Sequence, residues 1–245
     1  TVIHIDVDPA EIGKNIGADL PLVGDAKLVL QQMTELAKPM KHDEWIAHIK
    51  TLGGERKYVE PAKGTVNPRV FIDRLAKKMP ANVTVVADVG QNQIWTCTEY
   101  KFRKEGRLLT SGGMGTMGYS VPAAIGAKMA DNSRATVAIC GDGAFQMSFM
   151  ELATAVQFGV DIKVVVMTNN RLGMVRELQT NGYHDRQTAV FLDGSPDFIK
   201  LAEAYSIPAM RVYDDDTMEK GIEMLAEHKG ICLVEVVVDK DMPTL

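Results

Sequence analysis

Cys140-Gly141-Asp142-Gly143-Ala144-Phe145 directly follows the apolar run 135–140 and precedes residues with helical spacing. A strand that gives way to a helix through two glycines can bring main-chain N–H groups together on an anion. The start of the following helix adds a partial positive charge at the same place. Asp142 contributes a hard carboxylate oxygen beside that anion, and the pairing suits Mg2+ shared with phosphate oxygens. Taken alone, a Gly-Asp-Gly turn fits an ordinary strand-to-helix connection equally well.

The next apolar run, 162–168, ends at Asn169-Asn170. One helix and one parallel strand return the chain to the same sheet edge, where open α/β sheets bind their ligands. The amide oxygen of Asn169 can there complete a metal's shell of oxygens. Runs at 83–89 and 231–238 also read as buried strands, and helical spacing fills 68–78, 121–130, 148–158, 197–205 and 217–228. Asn67 before Pro68 is a good helix cap followed by a good first helical residue. Continuous apolar strands separated by helices predict an α/β fold with a parallel sheet flanked by helices on both faces.

Towards the N-terminus, residues 2–8 alternate as a strand and end at Asp8-Pro9, while 26–37 has helical spacing. Residues 1–37 are therefore expected to be the end of a preceding α/β domain. Residues 38–65 are expected to form a linker holding Gly53-Gly54 and a short helix at 43–52, and 66–245 the main domain. The chain starts inside a strand pattern without a methionine, so it is expected to be a piece of a longer protein.

With 46% hydrophobic and 24% charged residues, the composition allows an ordinary core. A net charge of −5 without a basic cluster argues against nucleic acid as a partner. No run approaches the roughly 20 apolar residues of a membrane helix. Cys97, Cys140 and Cys232 are scattered, which excludes a disulfide framework or a Cys-x-x-Cys metal site and fits a reducing cytoplasm. The histidines show no metal-ligand spacing and are expected at the surface, and Asp214-Asp215-Asp216 reads as a helix cap. A nicotinamide site is disfavoured, because no Gly-x-Gly-x-x-Gly with a later acidic residue follows a strand.

The blocks taken together resemble a known family. Gly141-Asp142-Gly143 followed after one helix and strand by Asn169 resembles the thiamine-diphosphate signature. The run from Gly141 to Gln179, with Ser111-Gly112-Gly113-Met114-Gly115-Thr116-Met117-Gly118-Tyr119 and Ala87-Asp88-Val89-Gly90-Gln91-Asn92-Gln93-Ile94-Trp95, is similar to the catalytic large subunits of acetolactate synthases. The similarity spans about residues 65–238, and residues 2–14 resemble the close of the family's middle domain.

The resemblance implies that Asp142, Asn169 and the carbonyl of Arg171 bind Mg2+. Gly141, Gly143, Ala144 and Gln91 would lie against the diphosphate of the cofactor. The Gly115 carbonyl would accept from the cofactor's 4′-amino group, and Met117 would support its bent rings, a task that suits a flexible thioether. Met174 and Leu178 would be near the substrate. Two departures stand out: Asn92 where the family often has His, which puts that diphosphate contact in doubt, and Leu178 in place of a Trp that shapes the substrate channel.

The implied reaction condenses two 2-keto acids with loss of CO2. Two pyruvates give 2-acetolactate, and pyruvate with 2-ketobutyrate gives 2-aceto-2-hydroxybutyrate, in branched-chain amino-acid biosynthesis. The family uses a glutamate from an N-terminal domain of a partner subunit for proton transfer, so no residue here is assigned that role. FAD in the full-length protein, a homodimer or tetramer, and a small regulatory subunit are implied in the same way. The chain alone is expected to be inactive. On the residues themselves two other readings stay open: a different thiamine-diphosphate decarboxylase or carboligase, and a noncatalytic α/β module that binds a phosphate ligand.

Overall fold

Apolar strands buried on both faces must be covered on both faces, and that requirement shapes the larger part of the chain. The computed structural model describes residues 1–52 and 58–245; the Gly53-Gly54 pair lies outside them. Two compact units result, Thr1–Arg56 and Lys57–Leu245, and the division falls inside the stretch expected as linker.

In the first unit, β1 (Ile3–Asp6) pairs in parallel with β2 (Leu20–Val23). Helix α1 (Ala26–Leu36) follows, capped by Asp25, whose side chain accepts from the Leu28 N–H at 3.1 Å. Helix α2 (Asp43–Leu52) lies within the range expected for a short helix. Neither helix buries a residue.

The second unit opens with α3 (Pro68–Lys78), whose cap Asn67 accepts from Arg69 and Val70 N–H. Then come β3 (Thr84–Ala87), α4 (Gln91–Glu99), β4 (Arg107–Thr110), α5 (Ser120–Ala130), β5 (Thr136–Gly141) and α6 (Asp142–Gln146). After these follow α7 (Leu152–Gln157), β6 (Lys163–Thr168), α8 (Gly173–Gly182), α9 (Phe198–Ala204), β7 (Ala209–Val212), α10 (Asp215–Glu227) and β8 (Cys232–Val237). The six strands β3 to β8 form one sheet in the order β4-β3-β5-β6-β8-β7, and every pair in it is parallel. The chain leaves β3 for β4 on one side and returns to β5 on the other, so strand order reverses between β3 and β5. Such a switch point is where open parallel sheets form ligand crevices.

Successive strand residues point to opposite faces. Val137, Ile139, Val165 and Val234 pack with α3 and α10, while Ala138, Cys140, Val164 and Leu233 pack with α5, α7 and α9. The expected parallel sheet between two helical layers is thus observed. One expected helix differs: 148–158 is a 3-10 turn at Phe149–Glu151 followed by α7 (Leu152–Gln157). Asp214 caps α10 in a capping box with Thr217, as a run of aspartates before a helix suggests. Among the described residues no helix is long and apolar enough to cross a membrane, and the three cysteines are free.

Helix α10 approaches the sheet closely at Gly221. A Cβ there would lie 2.7 Å from a Val212 methyl and 3.2 Å from one of Val234. Valine is stiff at χ1, so neither methyl can easily yield. Gly221→Ala is expected to lower stability by roughly 1–2 kcal/mol, overpacking outweighing the helix-propensity gain of about 1 kcal/mol. Urea denaturation checks this; an unchanged or higher midpoint would show that the helix can shift freely.

Candidate functional site

The carboxylate of Asp142 emerges where β5 becomes α6, and it is buried. One oxygen accepts from its neighbour Gly143 N–H at 2.8 Å. The other accepts from Asn169 N–H at 3.1 Å and Asn170 N–H at 2.7 Å, on the turn after β6. Burial pushes this carboxyl up to about 6, although those three N–H groups pull the other way, and the charge of Glu235 adds to the upward push. Asn170 sits in the left-handed region at φ 54°, a conformation asparagine tolerates better than most residues.

Asn169 accepts from Arg171 N–H through Oδ1 at 3.1 Å and donates through Nδ2 to Gln91 Oε1 at 3.3 Å. The Arg171 guanidinium pairs with Asp193 at 2.8 Å and lies 4.7 Å over the Phe191 ring. A guanidinium is a cation without an acceptor atom, so a metal contact from Arg171 would come from its main-chain carbonyl.

Asp142, Gly143, Asn169, Arg171 and Gln91 line one cleft at the C-terminal ends of β3, β5 and β6. Of the residues singled out in the sequence, the cleft brings together Gln91, Asn92, Met117, Gly141, Asp142, Gly143, Ala144, Asn169, Arg171 and Met174. Gly115 does not line it and lies on an exposed loop. Leu178 does not line it either and is 61% exposed.

Two lining glycines sit where a side chain would collide with its neighbours. Gly90, at φ 139°, occupies backbone space essentially reserved for glycine, and a Cβ on it would lie 2.7 Å from Asn92 Oδ1. A Cβ on Gly143 would meet Leu172 at 2.6 Å, with the end of Met117 3.4 Å away. The sequence motif pointed to Gly143, whereas Trp95, Leu172 and Gly173 escaped notice as cleft residues, since nothing in their spacing marks them.

Asn92 Nδ2 donates to the Asp88 carbonyl at 2.8 Å and the Ile139 carbonyl at 3.2 Å. That leaves Oδ1, an acceptor, 3.4 Å from where a Cβ on Gly141 would be. An acceptor in this position repels a phosphate oxygen, which is the physical content of the doubt raised over Asn92.

The C-terminal residues were not anticipated at the site. Gln91 Nε2 donates to the Met242 carbonyl at 2.9 Å, with Thr244 Oγ1 at 3.1 Å and Glu177 Oε2 at 3.2 Å also in reach. Trp95 donates to the Pro243 carbonyl at 3.2 Å, and Arg176 to the Met242 carbonyl at 3.3 Å. The Gln91 amide is committed to these partners, so a diphosphate would have to displace some of them.

The donor set can be weighed against a metal. Among the described residues no three His, Cys, Asp or Glu side chains converge as a metal site. Asp142 and Asn169 offer one carboxylate and one amide oxygen, with the Arg171 carbonyl two residues on. Such a hard, incomplete oxygen set fits Mg2+, which takes its remaining ligands from phosphate and water.

Residues 88–236 match the family described as thiamine pyrophosphate enzyme, C-terminal TPP binding domain. The chain belongs to the thiamine pyrophosphate enzyme family. Residues 1–33 match the central domain of the same enzymes. The chain is 36% identical over 241 residues to the acetolactate synthase large subunit of Lactococcus lactis, covering 98% of this chain and 42% of that protein. It is 36% identical over 251 residues to the acetolactate synthase isozyme 3 large subunit of Escherichia coli, covering 98% and 44%. With acetolactate synthase of Mycobacterium leprae it shares 39% over 253 residues, covering 97% and 40%. The chain thus spans about two-fifths of the length of the curated relatives it matches.

In this thiamine pyrophosphate enzyme domain, Asn92 ties the ends of β3 and β5 together. Asn92→Asp removes both N–H donors and sets a second carboxylate beside Asp88. At pH 8 it is expected to cost about 2 kcal/mol or more. A urea midpoint equal to that of the unaltered chain would show that the two carbonyls do not need this donor.

Proposed function

We propose that this chain supplies the diphosphate- and Mg2+-binding half-site of an acetolactate synthase. The observation that carries the reading is the bonding of Asp142 to the turn of Asn169 and Asn170, from neighbouring strand ends, inside a cleft floored by Gly143. Asp142, Asn169 and the Arg171 carbonyl would hold Mg2+. Gly141, Gly143, Ala144 and Gln91 would lie against the diphosphate, and the Gly115 carbonyl and Met117 would meet the rings. Thiamine diphosphate, when bound, supplies the electron sink for decarboxylating one 2-keto acid and joining the remainder to a second.

The mostly apolar lining of the cleft would strengthen each polar contact made within it. Met174 borders the cleft and would limit the room for the 2-keto acid. Leu178, exposed on α8, would offer a smaller wall than the Trp found in the family. The substrates proposed are pyruvate as donor and pyruvate or 2-ketobutyrate as acceptor, in branched-chain amino-acid biosynthesis in the cytoplasm. The same reading gives the full-length protein FAD, self-association as a dimer or tetramer, and a small regulatory subunit. It also assigns proton transfer at the aminopyrimidine to a glutamate outside this chain.

Acetolactate formation from pyruvate by the full-length protein, with thiamine diphosphate and Mg2+, tests the proposal. Product is expected, and Asp142→Ala is expected to lower kcat/KM at least about a hundredfold. Pyruvate consumed without acetolactate would instead indicate another thiamine-dependent reaction. Failure to bind the cofactor would leave a phosphate-binding module. The 245-residue chain alone is expected to form no acetolactate; product from it would refute the half-site reading.

A further inference from the structure

Asp88 follows β3 and is fully buried, yet it lines no part of the cleft. Its Oδ1 accepts from Gly118 N–H at 3.0 Å and from Val89 N–H at 2.9 Å, and its Oδ2 accepts from Ser120 N–H at 2.8 Å. Its own N–H donates to the Ile139 carbonyl at 2.8 Å, and its carbonyl accepts from Asn92. The residue is therefore fixed to β5 and α4 through its main chain, while its side chain reaches the segment leading into α5.

That segment is a loop held at two ends. At its start, the Ser111 carbonyl accepts from Gly115 N–H at 3.1 Å and Ser111 Oγ from Thr116 N–H at 3.0 Å. Between the anchors residues 112–116 are exposed, with Met114 at 90%. Gly115 and Gly118 adopt positive φ of 64° and 82°, so the loop turns sharply at both. Between these turns Met117 reaches the Gly143 edge of the cleft.

We propose that Asp88 is a positioning residue that, with Ser111, sets the loop carrying Gly115 and Met117 against the phosphate-binding edge at Gly143. The inference rests on the half-site reading above. A carboxylate is required because N–H groups two residues apart in sequence must each meet an acceptor oxygen. Charge-assisted bonds of this kind are stronger than neutral ones. An asparagine offers one acceptor and turns an NH2 towards the second N–H, so the loop must move. Asp142, Asn169 and Gly143 are held by other bonds and stay in place. The residue thus governs how the ring end of the cofactor is received, and leaves the diphosphate end alone.

Binding of two ligands to the full-length protein separates these ends: thiamine diphosphate with Mg2+, and inorganic pyrophosphate with Mg2+. Asp88→Asn is expected to weaken thiamine diphosphate about tenfold, the worth of one hydrogen bond. Pyrophosphate affinity is expected to stay within about twofold. Ser111→Ala, at a partly buried position with little risk to folding, is expected to shift the same ratio in the same direction by a smaller factor, and it carries the test if Asp88→Asn does not fold. Equal weakening of both ligands, or no change in the ratio for either variant, overturns the positioning role. An unaltered protein that binds neither ligand removes the half-site reading, and this inference with it.

Discussion

The Asp142 carboxylate is the constraint on which the rest of the site depends. Taking a charge out of water is costly unless donors replace the lost hydration. Here three main-chain N–H groups do so, one from the start of α6 and two from the turn after β6. The two turns are therefore clamped to each other. The clamp can exist because β5 and β6 are adjacent and parallel, so that both turns leave the sheet at one edge. The raised affinity of this carboxyl for protons shows that the donors offset burial only partly. A cation close by would stabilise the charged form of such a group.

Around the clamp, space is made by absent side chains and closed by polar bonds. Gly90 and Gly143 leave room for the Asn92 and Leu172 side chains where a Cβ would collide. Asn92 then spends both its N–H groups on the ends of β3 and β5, at the reversal in strand order. The carbonyls of Met242 and Pro243 accept from Gln91 and Trp95, which line the cleft. Rigid placement of a few polar atoms, rather than their number, suits such a cleft for holding a charged ligand in one pose.

The central strands were legible because β5, β6 and β8 are buried on both faces and read as largely apolar runs, β8 broken only at Glu235. Strands β4 and β7 lie at the sheet edges, are four residues long and half-buried, and so leave too little pattern. Helix α4 carries Gln, Asn and Thr where an apolar stripe would be sought, because it serves the cleft on one side. Helix α8 buries only Arg176, which no hydrophobic periodicity reveals. Asp142 and Asn169 could be paired from sequence, since one helix and one parallel strand fix the return to the same edge. The partners of Gln91 could not: Asp239-Lys240-Asp241-Met242-Pro243-Thr244 has no period, and its contacts depend on a fold over long sequence distances.

The central claim is that oxygens of Asp142 and Asn169 hold a divalent cation together with a diphosphate. Paramagnetic resonance of Mn2+ added to the full-length protein with inorganic pyrophosphate tests it most directly. One tight Mn2+ site with 31P coupling is predicted, and Asn169→Ala should lose that coupled signal. A Mn2+ spectrum that pyrophosphate leaves unchanged, or that is the same in Asn169→Ala, would contradict the account.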